Sequence, residues 1–387
     1  MSIRRTLPVL LLAFCAVFPS FAQEKTNLVR RVFDWIMSPS VELDPDAVYQ
    51  PAPRWTFSLS GDVRQASMYQ KRDFEIFYSH VTEEGEVQVV GVPAMLSSDM
   101  HGEVTEGIGF QAGYGGLSLS LSKKFRDKGS DNRTLSFDYM SAGYAFQLQF
   151  YNLSQPVDYK LVIGDESSIV HHNISDVTEN PGRSRSLILD GFYAFDRRTF
   201  AYCAAYKGSV IQRRSGGSWM LGSKLILGDY RLDPRDDIAL WSGGLAEQTS
   251  AQVSVGGGYS YNFVPLHRQP YADREKGLRN LTFNATFIPM VTVFNQFTST
   301  SYGQPLGGDD PPTSKSTMNG DLMVNYVARA GVGYTRDLLT LNLSASYDSY
   351  SYNGKTSIEF TDVNINNIKT SGGFRRWVVS LRLCKRF

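Results

Sequence analysis

Five histidines, His80, His101, His171, His172 and His267, are the side chains of this 387-residue sequence best suited to general-base or metal chemistry. A hydrolase would need a serine oxygen within reach of an imidazole that a third group holds in place. All five histidines read as loop or loop-edge residues, and no Ser–His pairing on neighbouring strand faces stands out, so no catalytic residue is assigned. His171 and His172 beside Asp165 and Glu166 have the donor types of a metal site, but adjacent histidines in a solvated loop define no coordination sphere. No metal or cofactor is expected. Asn280-Leu-Thr and Asn342-Leu-Ser match glycosylation acceptors but lie inside strand-like runs. Beyond the N-terminal region two cysteines remain, Cys203 and Cys384, both on the polar parity of their runs. They could bridge in an oxidising compartment, although two small buried thiols are the simpler expectation.

The remaining chemistry is charge. Taken in steps of two along each strand-like run, Asp62, Arg64, Asp190, Lys224, Arg329, Asp348, Arg376 and Arg382 fall on the polar parity, opposite the apolar residues. Both signs occur, so some should pair with one another. Gln212, Arg213, Arg214, Ser215, Gly216, Gly217 and Ser218 form the most distinctive polar string. Its arginines could reach a lumen or grip lipid-head phosphates, or the string could be a bent strand whose glycines allow a bulge.

Period-two strands dominate from Arg54 onward. Trp55, Phe57 and Leu59 alternate with Thr56, Ser58 and Ser60; Leu117, Leu119 and Leu121 with serines; Leu339, Leu341 and Leu343 with Thr340, Asn342 and Ser344. The polar parity carries mostly Ser, Thr, Asn, Gln and Gly, where a soluble sandwich would show many Lys and Glu. A hydrated lumen tolerates that mixture while the other face meets lipid. A sheet in lipid must close on itself, because no water is present to satisfy an open edge. Gly115-Gly116, Asp196-Arg197 and Arg336-Asp337 read as tight turns; 69–103, 154–183, 231–250, 297–321 and 354–371 read as long polar loops. About thirteen segments can be drawn. A kink at 210–217 inside one long strand would leave twelve, and a separate strand at Phe74 to Tyr78 would make fourteen; twelve is preferred.

The two ends of the sequence carry their own signals. Arg4 and Arg5, the apolar run Leu7 to Phe18 and the small residues of Ser20-Phe-Ala22 form an export signal over residues 1–22. That apolar run is too short to span a bilayer, and no other reaches 18 residues. Residues 23–53 read as a periplasmic leader. Its segment 24–37 is a short amphipathic helix with Leu28, Val32, Trp35 and Ile36 at helical spacing; it either lies on the membrane surface, frays, or enters a barrel as a plug. Pro39, Pro45, Pro51 and Pro53 make the rest extended. At the other end, Trp377, Val379, Leu381, Leu383 and the final Phe387 share one strand face. Outer-membrane barrels characteristically end on such a strand, which their assembly machinery reads.

A net charge of +1 excludes the strongly basic pattern of a nucleic-acid binder. The 21 tyrosines, 23 phenylalanines and 34 glycines suit aromatic belts and tight turns.

The runs Gly191-Phe-Tyr-Ala-Phe195, Arg198-Thr-Phe-Ala-Tyr202 and Gln212–Ser218, with Gly258-Tyr-Ser-Tyr-Asn-Phe263 and the strand around Phe283, resemble a family of Gram-negative outer-membrane proteins. That family is known as domain of unknown function 4421. The resemblance covers roughly Asp46 to Phe387 and implies a barrel; it carries no catalytic residue.

The expectation is therefore an all-β protein, an antiparallel transmembrane β-barrel of about 12 strands (range 10–14) over 54–387, behind a short N-terminal helical leader. Both termini would face the periplasm of a Gram-negative cell. Its expected partners are outer-membrane lipid and, during biogenesis, the barrel assembly machinery and periplasmic chaperones; no nucleic acid is expected. The expected role is a small-solute channel or a structural membrane protein. The alternatives are a lipid-acting enzyme and a barrel whose long loops bind a partner.

Overall fold

A computed structural model describes residues 43–387 except 52–54, 83, 102–103, 125–132, 156–157, 164–169, 174–181, 232–244, 270–275, 303–312 and 360–363. The export signal at 1–22 and the leader helix at 24–37 lie outside the described residues.

The strands are β1 (Val48–Tyr49), β2 (Trp55–Val81), β3 (Val87–His101), β4 (Thr105–Tyr114), β5 (Leu117–Lys124), β6 (Arg133–Met140), β7 (Tyr144–Gln155), β8 (Asp158–Ile163), β9 (Val170–Asn173) and β10 (Gly182–Ala194). They continue with β11 (Ile211–Gln212), β12 (Gly216–Arg231), β13 (Leu245–Arg268), β14 (Arg279–Tyr302), β15 (Thr313–Asn319), β16 (Val324–Arg336), β17 (Leu339–Glu359) and β18 (Asn364–Arg386). Twelve of them, β2, β4–β7, β10, β12–β14 and β16–β18, form an antiparallel ring closed by β18 on β2. The seam runs from Lys369↔Asp73 to Arg386↔Thr56 without a register break.

Closure turns the usual arrangement of a protein inside out. Leu341 pairs with Leu383 and Leu343 with Leu381, and all four point outward and are exposed. Their strand neighbours Thr340, Asn342 and Cys384 point inward and are buried. The same alternation gives Phe283 and Phe287 outside, Thr282, Asn284 and Thr286 inside. Apolar residues on the exterior and polar residues within are the pattern of a transmembrane β-barrel. Near the end that holds both Trp55 and Phe387 the exterior is rimmed with rings, among them Trp55 against Tyr114, Phe57 against Phe387 and Trp219 against Tyr259.

The two ends differ. At the end carrying Trp55 and Phe387, residues 115–116 and 337–338 make tight turns. Gly115 and Gly116 have positive φ of 59° and 94°, and Asp337 takes 53°. Asp196-Arg197 does turn, with Asp196 O accepting from Thr199 N at 3.0 Å, but it opens the long segment 195–215 instead of joining two neighbouring strands. The stretch 198–209 is not a strand, because its backbone folds into the barrel interior in consecutive turns. Strand parity placed Cys203 correctly among buried groups for the wrong reason.

At the far end, stretches that read as polar loops are strand. A bilayer is crossed in about 9–11 residues, yet β2 has 27, β13 and β14 have 24 each, β17 has 21 and β18 has 23. The excess projects as sheet. Phe74 to Tyr78 belongs to β2 and is not a separate strand, and β3 continues the β2 pairing from Ser67↔His101 to Val81↔Val87. The polarity that suggested loops reflects sheet that has left the apolar zone.

Leu341→Arg, on the lipid face, is expected to lower unfolding free energy in lipid vesicles by about 2–4 kcal/mol. Ser344→Asn, on the inner face of the same strand, should stay within about 0.5 kcal/mol. Denaturant titration of the embedded protein measures both.

Candidate functional site

The bore is occupied from one end by residues 195–213, packed on Leu43–Tyr49. Phe200, Ala201, Tyr202 and Cys203 are fully buried and join Ala47, Val48, Phe192, Met220, Ile288 and Val327 in the main apolar cluster. This apolar plug sits in a polar tube because its backbone carbonyls meet asparagines on the wall. Asn262 Nδ2 donates to Ala201 O at 2.8 Å, Asn280 Nδ2 to Gln212 O at 2.7 Å and Asn342 Nδ2 to Ala205 O at 2.9 Å. Arg386 Nη1 donates to Gly208 O at 2.9 Å, and Tyr206 OH to Asn284 Oδ1 at 2.5 Å. Buried carbonyls left without such donors would each cost about 1–3 kcal/mol. Close approach also demands glycine. A Cβ on Gly331 would sit 2.8 Å from the Tyr206 ring, and Gly208, at φ 65°, lies against Thr340.

Above the plug, a tier of charges crosses the bore. Lys224 Nζ on β12 lies 2.9 Å from Asp190 Oδ1 on β10 and 2.9 Å from Asp348 Oδ1 on β17, and all three side chains are wholly buried. It also contacts Tyr350 OH. Arg376 on β18 binds Asp348 through Nε at 3.1 Å and through Nη2, and reaches Gln149 Oε1 on β7 at 2.6 Å. Arg329 on β16 reaches Asp190 Oδ2 at 3.4 Å and Tyr202 OH of the plug at 3.3 Å, with its guanidinium 4.6 Å from the Phe192 ring centre. Strands β10 and β16, or β7 and β18, are not neighbours in the ring, so these contacts tie opposite walls. Nearer the far end, Gln70 Nε2 donates to Gln248 Oε1 across the bore at 2.8 Å.

Beside plug and tier lies a chamber of about 190 Å³, lined among others by Asp62, Arg64, Asp138, Lys207, Arg376 and Arg382. Arg64 Nε pairs with Asp62 at 2.7 Å and its Nη2 donates to Ser122 Oγ at 2.6 Å. Lys207, from the plug, pairs with Asp138.

All eight charges of the polar parity thus lie on the inner surface. Asp190, Lys224, Arg329, Asp348 and Arg376 form one cluster, Asp62 and Arg64 a separate pair, and Arg382 faces the chamber alone. The string Gln212–Ser218 is not one bent strand. Gln212 and Ile211 form β11, which pairs with β1, and β12 begins at Gly216. Gln212 is the buried knot of the plug: its Oε1 accepts from Ala201 N at 2.7 Å and its Nε2 donates to Thr199 O at 2.7 Å. Arg213 donates to Pro45 O and stacks on Tyr49, while Arg214 pairs with Asp44. Both arginines hold residues 43–49, because the β1–β11 pairing brings that segment beside them. Ser215 Oγ accepts from Val264 N at 2.9 Å, and Ser218 Oγ from Asp196 N at 2.9 Å. On the last strand, Val379, Leu381, Leu383 and Phe387 are exposed on the outer face, with Trp377 partly covered and donating to Gln65. His80 and His101 lie in β2 and β3, and His171 and His172 in β9, rather than in loops; His267 is near the end of β13.

Sequence reading missed the plug and its sockets Asn262, Asn280, Asn284 and Asn342. The available signal was asparagine recurring on the inner parity of β13, β14 and β17.

The family model described as "Domain of unknown function (DUF4421)" matches residues 66–375. The chain belongs to this family. The DUF4421 match contains the plug and Asp190, Lys224, Arg329 and Asp348, while Asp62, Arg64, Arg376, Arg382 and Phe387 lie outside it. Comparison with curated proteins finds no match. Among solved structures, the outer membrane protease OmpT from Escherichia coli is similar at 8% identity and a TM-score of 0.40, over 86% of this chain and 97% of that one. The toluene transporter TodX from P. putida follows at 7% identity and 0.21, over 86% and 90%. Pseudomonas aeruginosa OccK9 (OpdG) is at 10% identity and 0.12, over 84% and 98%.

Two outcomes follow from this DUF4421 interior. Lys224→Met leaves two buried carboxylates short of a partner and should destabilise the barrel by about 3 kcal/mol or more, read by denaturant unfolding in vesicles. Cys203 and Cys384 are both free and buried, and burial pushes the Cys203 thiol up to about 11. At pH 8 it remains the unreactive thiol. Maleimide should leave both positions unmodified in the folded barrel and label both after denaturation, as mapped by mass spectrometry.

Proposed function

We propose that this is a structural outer-membrane protein, a barrel whose bore is closed to steady solute flow. The observation that carries this reading is the charge tier. Lys224, Asp190 and Asp348 touch one another mid-bore with no exposed side-chain surface. Charges lining a conducting pathway keep water, since stripping an ion pair of solvent costs several kcal/mol per ion. Twelve strands enclose more room than the side-chain-filled eight-strand barrels and less than the open sixteen-strand porins; here plug and tier take up that room.

Location belongs to the same reading. The exposed apolar girdle calls for lipid, and the segment 1–22 supplies an export route. The outer face of β18, with Trp377, Val379, Leu381, Leu383 and Phe387, offers the assembly machinery its recognition strand after periplasmic chaperones deliver the chain. In this reading the short turns beside both Trp55 and Phe387 face the periplasm and the projecting sheet of β2, β13, β14, β17 and β18 lies outside the cell, as short periplasmic turns and long external extensions are the habit of such barrels.

Purified, heat-modifiable barrel reconstituted in planar bilayers should show no sustained conductance steps. Stable, reproducible channel openings from folded protein would restore the solute-channel reading.

A further inference from the structure

The chamber beside the plug has an imbalance of charge. Its carboxylates are taken: Asp62 by Arg64, and Asp138 by Lys207. The deeper Asp190 and Asp348 are shared among Lys224, Arg329 and Arg376. Arg382 has no hydrogen-bond or ion-pair partner among the described residues, yet its side chain lines the chamber. Its cross-strand neighbours are Asn342 on one side and Ser60 on the other, neither of them acidic. A partly buried guanidinium in the chamber, with the Lys207 ammonium near it and the chamber's carboxylates already paired, favours a counter-ion.

We propose that this chamber binds one small oxyanion of phosphate or sulfate type, with Arg382 as its principal ligand and Arg64 and Lys207 at its edge. Size decides the class. About 190 Å³ holds a tetrahedral oxyanion with residual water, but falls below the roughly 300–1,000 Å³ typical of pockets for larger organic ligands. Chemistry agrees, since the planar guanidinium fork offers paired N–H donors to tetrahedral and carboxylate oxygens. Ser60, Ser120, Ser122 and Ser344 line the same space and supply hydroxyl donors. The anion would neutralise the excess positive charge between the β2–β18 seam and the plug. It goes beyond the structural reading and stands apart from it, because a closed barrel and an anion-permeable one could each hold the site.

The experiment is a titration of full-length barrel, folded in detergent in a chloride-free zwitterionic buffer, with inorganic phosphate and, separately, sulfate. Binding is read by calorimetry and by the shift in the unfolding temperature. Wild-type protein should bind one anion per chain saturably. Arg382→Gln should weaken binding about tenfold or more, the loss of one charge-assisted interaction. Arg382→Lys keeps the charge without the fork and should fall between them, and serves if the glutamine variant does not fold. Asp62→Asn removes a competing carboxylate and should tighten binding several-fold. No saturable binding by the folded wild type overturns the proposal. So does equal affinity in the Arg382 variants, which would mean adventitious association elsewhere.

Discussion

The interior depends on one buried ammonium. Lys224 stands between Asp190 and Asp348, and through them engages Arg329 and Arg376, so that β10, β12, β16, β17 and β18 share one electrostatic knot. A barrel in lipid has no apolar core to define its cross-section, because its apolar residues face outward. The cross-section must then be held by polar contacts spanning the bore. In a dehydrated interior such contacts are strong when complete and costly when one partner is missing. The tier is held in place from below by Tyr202 of the plug and from the side by Gln149, which makes tier and plug a single packed unit.

The plug solves a second problem of the same kind. Its Phe200, Tyr202, Ala201 and Cys203 would suit a soluble core, yet they stand inside a ring of Asn, Thr and Ser. Compatibility comes from separating the two demands. The plug's side chains pack on one another and on Phe192, Met220 and Ile288, while its carbonyls take the asparagine donors of the wall. Wall glycines remove the side chains that would hold the plug off, as Gly331 does beneath Tyr206. Gln212 then ties the ends of the segment together with both its amide groups.

These two devices explain how an intermediate barrel size can be filled without large inward side chains on every strand. They fill unevenly: the chamber remains beside plug and tier, lined mainly by β2, β4 to β7, β17 and β18. The far-end projection has a separate origin. Strand pairing between β2 and β3, β13 and β14, and β17 and β18 continues past the apolar zone because each hairpin satisfies its own backbone hydrogen bonds. Sheet and loop are then distinguished by pairing, not by hydropathy.

By itself the sequence determined everything that a period of two can express. Leu341 beside Asn342, or Phe283 beside Asn284, is enough to say which residue meets lipid, since a strand has only two faces. The alternation also sufficed for an all-β barrel, and for Asp190, Lys224, Arg329 and Asp348 standing on the inner parity. The preferred count of twelve rested on a kink at 210–217 inside one long strand, where the chain instead leaves the short β11 and starts β12 at Gly216. Only the tertiary structure decided which of those charges meet. Parity along one strand says nothing of what stands across a closed ring, where Lys224 finds an acid on β17 and Arg376 a glutamine on β7. The fate of 195–215 was equally out of reach. Aromatic and small residues at 198–206 imitate a strand locally, and only the asparagines of β13, β14 and β17, gathered around the bore by closure, give that backbone somewhere better to bond than a neighbouring strand.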